Sequence, residues 1–111
     1  MAIEDLVYIG FNSRVVALNR DTGQVAWDWT SRSGSGYVTL LLDGDRLIVS
    51  VIGYTYCLNP ENGQELWFND LPGYGSGVAS IVSVRGSANC ALPASDAADE
   101  ASRRSSHSTI T

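Results

Sequence analysis

Apolar and polar positions alternate along most of this chain in short runs, with no helical rhythm. Leu6-Val7-Tyr8-Ile9 is followed, after a polar break, by Val15-Val16-Ala17-Leu18 and then by Val25-Ala26-Trp27-Asp28-Trp29. The series returns as Leu47-Ile48-Val49, Tyr54-Thr55-Tyr56-Cys57-Leu58 and Glu65-Leu66-Trp67-Phe68. Runs of this length, rich in β-branched and aromatic residues and bounded by turn formers, read as strands. Tyr37-Val38-Thr39-Leu40-Leu41-Leu42 is a further strand, and Asp43-Gly44-Asp45-Arg46 closes it with a tight hairpin turn. Gly34-Ser35-Gly36 recurs as Gly75-Ser76-Gly77, so residues 78–84 read as a second copy of the strand at 37–42. No pattern of helical period competes before residue 90.

The runs repeat at one spacing. A shift of forty residues places Asp5 on Asp45, Leu18 on Leu58, Asn19 on Asn59, Gly23 on Gly63, Gln24 on Gln64 and Trp27 on Trp67, without a gap. A period near forty built of short strands is the signature of a β-propeller array. Asn19-Arg20-Asp21-Thr22-Gly23 and Asn59-Pro60-Glu61-Asn62-Gly63 suit hairpins built on a type I turn. Gly23 and Gly63 take the left-handed position there, which costs energy for any residue with a Cβ. The side chains of Asn19 and Asn59 are placed to bond a backbone N–H two residues on, and Pro60 presets the φ of the first turning position.

Both copies resemble the repeat of the pyrroloquinoline-quinone-type propellers, with its tryptophan-docking motif of alanine, asparagine or aspartate, glycine, glutamine or lysine, and tryptophan. Ala17, Asn19, Gly23, Gln24 and Trp27 fill the motif in the first copy; Asn59, Gly63, Gln64 and Trp67 fill it in the second, where Cys57 replaces the small alanine. The resemblance covers about residues 3 to 85. It implies an all-β propeller in which the tryptophan pins neighbouring blades and its indole N–H meets a backbone carbonyl. Quinone-dependent dehydrogenases of this type carry an adjacent cysteine pair, calcium ligands and a catalytic aspartate within eight blades. This chain has no adjacent cysteines, and no cofactor is carried across. The non-catalytic scaffolds of the family are the nearer analogy.

Two repeats cannot close a ring. Residues 1–86 make up two propeller-type repeats, about 4–43 and 44–84, each worth a four-stranded antiparallel blade. Counted from the ring centre outward, the first blade lacks its innermost strand, and residues 78–84 are an innermost strand with nothing behind it. Unpaired edges of that length invite another chain. The expected assembly is a cyclic homo-oligomer in which residues 78–84 of one chain complete the blade begun by residues 6–30 of the next. A head-to-tail contact of that kind is safe only if it closes. A trimer gives six blades and a tetramer eight.

Composition narrows the field. A chain of 111 residues with 44% apolar content has room for one small globular domain. Seven basic residues against twelve acidic ones give a net charge of −5, which offers no phosphate-binding face, so nucleic acid is not an expected partner. MAIEDLVYIG has neither the basic start nor the apolar core of a secretory signal. No uninterrupted apolar stretch approaches the roughly 20 residues of a spanning helix. A cytoplasmic protein is expected. Residues 87–111 are rich in Ala and Ser and read as a disordered tail, or as one holding a short helix near 95–104 capped by Ser95.

Candidate chemistry is sparse. Asp43 and Asp45 sit in a turn too short for the roughly six oxygens a calcium loop supplies. His107 and Cys90 lie in the tail without partners, and Cys57 reads as a small buried apolar residue. The glycine-serine-glycine links neither open a helix nor precede the lysine of a phosphate loop. The residues therefore predict a non-enzymatic propeller scaffold or interaction module without metal or cofactor. A ligand- or quinone-binding propeller, with Tyr37, Tyr54, Tyr56 and Tyr74 lining a site formed on assembly, is the first alternative. A remnant of a longer propeller is the second.

Overall fold

The computed structural model describes residues 1–89, and within them one turn of 3-10 helix at Ile3–Asp5 precedes nine strands. Three antiparallel sheets follow one another along the chain. The first holds β1 (Leu6–Phe11), β2 (Arg14–Asn19) and β3 (Val25–Thr30) in that order. The second holds β4 (Val38–Asp43), β5 (Arg46–Val51), β6 (Tyr54–Leu58) and β7 (Glu65–Asn69), and the third pairs β8 (Ser80–Ser83) with β9 (Gly86–Asn89). Each sheet is a run of hairpins, as in a propeller blade.

The period of forty extends to the backbone. Phe11 pairs with Arg14 as Val51 pairs with Tyr54, and the ladder shifts between Ala17 and Leu18 as it does between Cys57 and Leu58. Both motif turns close alike: Gly23 N–H donates to Asn19 O and Gly63 N–H to Asn59 O, each at 2.8 Å. The Asn19 side-chain oxygen accepts from Asp21 N at 2.8 Å and that of Asn59 from Glu61 N at 2.9 Å, while Gly23 and Gly63 sit at φ 76° and 78°. The inner hairpins turn on Asn12-Ser13 and Ile52-Gly53, all four at positive φ, which matches the twist of the flanking strands. Ile52 is the costly member, because a β-branched side chain clashes in that region; its apolar body packs against the core.

That core lies between the first two sheets. Val15 of β2 meets Val38, Leu47, Val49, Val51, Tyr56 and Leu58 of the second sheet, with Tyr8, Trp27 and Trp29 packed around them. Leu47, Val49 and Val51 alternate along β5 and are at most 1% exposed. Their counterparts forty residues earlier, Val7, Ile9 and Phe11, are 43%, 43% and 56% exposed. The same face is thus sealed in the second sheet and open in the first.

At the far end the sequence reading needs correction. The sequence pattern ends at Gly86 and predicts residues 78–84 as a strand with nothing behind it, yet Gly86–Asn89 forms β9 and pairs with β8. Ser83 opposes Gly86 as Asp43 opposes Arg46, so a third blade has begun at the same spacing. The small residues Gly86, Ser87 and Ala88 give no alternating apolar signal, so this strand is set by backbone register after the Val84-Arg85 turn. Thr39 Oγ1 donates to Ala79 O at 2.8 Å and the Arg85 guanidinium meets Asp43 at 2.8 Å, tying the third sheet to the second. Cys90, the helix expected near 95–104 and His107 lie outside the described residues.

Candidate functional site: the interblade seam

Hairpin turns bring the seam together. The turn after β6 aims the Pro60 carbonyl at the first sheet, where it accepts from the Tyr8 hydroxyl at 2.8 Å and from the Trp27 indole N–H at 3.0 Å. Pro60 itself is fully buried. The Trp27 ring lies flat over Gly63: a Cβ there would overlap ring atom Cε3 and approach Cδ2 to 2.8 Å. Gly63 thus serves two needs, a left-handed turn and a bare surface for the indole. Deeper in, Trp29 meets Tyr56 edge-on with ring centres 4.6 Å apart. Gly10 lets β1 approach β4, since a Cβ would come within 2.7 Å of Val38.

The link between the sheets adds polar anchors. The Tyr56 hydroxyl donates to the Ser33 carbonyl at 2.8 Å and accepts from the Ser33 N–H at 3.0 Å, which satisfies a phenol whose ring is fully buried. The Arg32 guanidinium lies 4.3 Å above the Phe68 ring and grips Glu65 at 2.7 Å. Planar stacking on an aromatic face is what arginine does better than lysine, and the ion pair itself is made by one nitrogen, Nη1, which reaches both Glu65 oxygens. Burial, and then the nearby Glu61 carboxylate, push the Tyr8 phenol above its ordinary pKa. Burial likewise raises the Cys57 thiol, with Arg46 opposing and Asp45 and Asp43 adding to the rise.

The motif residues of the two copies have different surroundings. Ala17 and Cys57 are both fully buried at the ladder shift, and the main-chain carbonyls of Gln24 and Gln64 accept from Asn19 N and Asn59 N at 2.8 and 2.7 Å. Trp27 is engaged as described, whereas Trp67 is 47% exposed. Gly63 lies under an indole, whereas among the described residues nothing beyond its two chain neighbours stands within 4 Å of a Cβ built on Gly23. Sequence reasoning missed Tyr8, the Pro60 carbonyl, Arg32 and Ser33. Tyr8 falls on Ile48 in the other copy and the other side chains lie in links, so the repeat carried no signal for them.

The other candidates do not converge. Tyr54 stacks on Phe68 and Tyr56 lies within the seam, while Tyr37 and Tyr74 are exposed elsewhere. Asp43 is held by Arg85 and Asp45 by Arg46, and no three His, Cys, Asp or Glu side chains gather among the described residues. The described residues do not fit a quinone with its calcium ion, since Cys57 stands single and buried and the two aspartates are tied to arginines. An open cavity of about 310 Å³ lies between the Ile52-Gly53 turn and the loop after β7, bordered by Tyr54, Asp70, Leu71 and Ser76. No helix among the described residues is long and apolar enough to cross a membrane.

Comparison with known proteins places this geometry in a family. Residues 11–99 match the family model described as outer membrane protein assembly factor BamB. A quinoprotein ethanol dehydrogenase of Pseudomonas putida is 36% identical over 81 residues. That match covers 57% of this chain, and the chain spans 13% of the dehydrogenase's length.

Proposed function

Because the chain belongs to the pyrroloquinoline-quinone-type repeat family whose model bears the name outer membrane protein assembly factor BamB, we propose that it is a non-catalytic β-propeller module. It offers loops and a central channel to a protein partner, and it completes its ring by associating with copies of itself. One observation carries this reading: among the described residues, several of the side chains that could hold chemistry are committed to structure. Cys57 is buried at a strand irregularity, Tyr56 is bonded twice to Ser33, Glu65 is gripped by Arg32, and Asp43 by Arg85. The family name describes an assembly factor, in keeping with a scaffold. The dehydrogenase name describes the chemistry of a far longer chain.

The ring reading rests on β1. Its unpaired edge is where β4 lies in the second sheet, and its apolar face is open at Val7, Ile9 and Phe11. A β8 strand from the next copy would supply the missing innermost strand, with β1 taking the place of β9. The exchange trades a four-residue partner of small polar residues for a six-residue one, Leu-Val-Tyr-Ile-Gly-Phe, and apolar cross-strand pairs are the stronger ones. Three copies would give six blades and four would give eight.

Light scattering on a size-exclusion column, followed by titration with pyrroloquinoline quinone and calcium under absorbance, tests both halves. Three or four chains per particle and no saturable quinone uptake are expected. A one-chain particle overturns the ring, and stoichiometric uptake overturns the non-catalytic role. The cavity beside Tyr54 and Asp70 favours a second reading, a small-ligand site, for which the same titration is the test.

A further inference from the structure

The seam between the first two sheets is a lock with two parts, and each part occurs once more without a partner among the described residues. The key is Trp27, which lays its ring over Gly63 and donates its indole N–H to the Pro60 carbonyl. Forty residues on, Trp67 occupies the equivalent place in β7 and is 47% exposed, with no hydrogen bond from its indole among the described residues. Forty residues back from Gly63 and Pro60 stand Gly23 and Arg20. Gly23 has the same backbone conformation, φ 76° against 78°, and open space above it. The Arg20 carbonyl accepts no hydrogen bond among the described residues, while its N–H donates to Asp5 O at 2.9 Å and holds the turn in place.

From this we infer that Trp67 of one copy docks over Gly23 of a second copy and donates its indole N–H to the Arg20 carbonyl. This inference rests on the ring reading and names the residues that would close it. The occupant is a copy of the same chain for three reasons. The empty key and the empty cradle have the geometry of a pair already assembled within the molecule. They lie at opposite ends of the repeat, so they can meet only between blades set side by side. The apolar residues of the cradle's sheet, Val7, Ile9 and Phe11, are the counterparts of Leu47, Val49 and Val51, which are sealed where Trp27 is docked. The contact is head-to-tail, key to cradle, and it propagates until the ring closes.

The second lock differs from the first in one part. Tyr8 shares the Pro60 carbonyl with Trp27, and its counterpart forty residues on is Ile48, which has no hydroxyl to offer Arg20. The contact between copies thus has one donor where the internal seam has two. The assembly should therefore dissociate before the blades of one chain separate.

Two variants and their mixture test this. Trp67→Ala removes the key and leaves the cradle. Gly23→Asn blocks the cradle and leaves the key; asparagine is the residue with a Cβ that best tolerates positive φ, and among the described residues nothing beyond its two chain neighbours lies within 4 Å of that Cβ. Removing a central tryptophan from an interface weakens it by about a hundredfold. Each variant alone, still β-folded by circular dichroism, should thus run as a single chain at a concentration where the wild type is three or four. Mixed in equal amounts at that concentration, the two should form a two-chain particle, since one intact lock is available and both outer ends are broken. If either variant keeps the wild-type mass, or the mixture stays at one chain, the lock is wrong while the ring reading stands. A wild type that is itself a single chain overturns both.

Discussion

Two glycines in equivalent turns allow the cost of a backbone conformation to be separated from the cost of a contact. Gly23 and Gly63 share their φ, but only Gly63 carries an indole. In a Trp67→Ala background at low protein concentration, where the proposed association between copies is weakened, Gly23→Ala should cost only the left-handed strain of about 1 kcal/mol. Gly63→Ala adds the displacement of Trp27 and its hydrogen bond, for a total of about 3–4 kcal/mol. Urea unfolding followed by tryptophan fluorescence checks the difference, and equal costs would mean that Trp27 does not rest on Gly63. Cys57 and Tyr8 support a second expectation. Both have pKa values raised by burial, so the folded state holds their protons beyond the pH at which the unfolded chain releases them. Stability is then level below the ordinary thiol value of 9.0, falls above it, and falls further past the ordinary phenol value of 10.0. Cys57→Ala, which copies Ala17, should cost about 1 kcal/mol and abolish the first part of the decline; urea midpoints across that range decide it.

The elements were more legible than the contacts between them. Strands β1 to β7 could be read because they are short apolar runs rich in β-branched and aromatic residues and bounded by turn formers, and the turns because Asn19, Asn59, Gly23 and Gly63 each have a local job that the chain states twice. β9 was illegible for the opposite reason: Gly86, Ser87 and Ala88 carry no alternating apolar signal, and only pairing with β8 makes them a strand. The seam lay between these cases. Trp27 and Gly63 were visible as motif positions, but the acceptor is a backbone carbonyl, which no side-chain pattern reveals, and Tyr8 and Arg32 occur in one copy only. The seam also states its own hierarchy. Trp27→Phe keeps the ring and loses the N–H, leaving Tyr8 to satisfy the Pro60 carbonyl, so it should cost only about 1 kcal/mol. Trp27→Ala also loses the packing and should cost about 3–5 kcal/mol. Arg32→Ala, at a half-exposed pair, should cost less than about 1 kcal/mol of ion pairing, plus its stacking on Phe68. Thermal melts of the three variants give the order Trp27→Ala, then Trp27→Phe or Arg32→Ala. A dominant Arg32 would move the weight of the interface from the aromatic lock to the link.

For the whole molecule, the imbalance between the sheets has a thermodynamic consequence. The second sheet is covered by neighbours on both sides, whereas the first leaves Val7, Ile9 and Phe11 open and the third exposes Val82 and Val84 at 79% and 98%. A chain of this size buries too little of its surface to be generously stable alone, so apolar faces left open at both ends remove much of the margin that a full ring would have. Association binds the folded state and not the unfolded one, so it adds stability that grows with chain concentration. The melting temperature should therefore rise by several degrees over a hundredfold increase in concentration. The rise should survive high salt, because the joining faces are apolar, and in Trp67→Ala should need about a hundredfold more protein to appear. Differential scanning fluorimetry across that range measures it. A midpoint independent of concentration would mean that the core around Val15, Val49 and Tyr56 holds the two blades by itself, with the open faces left for a different protein to cover.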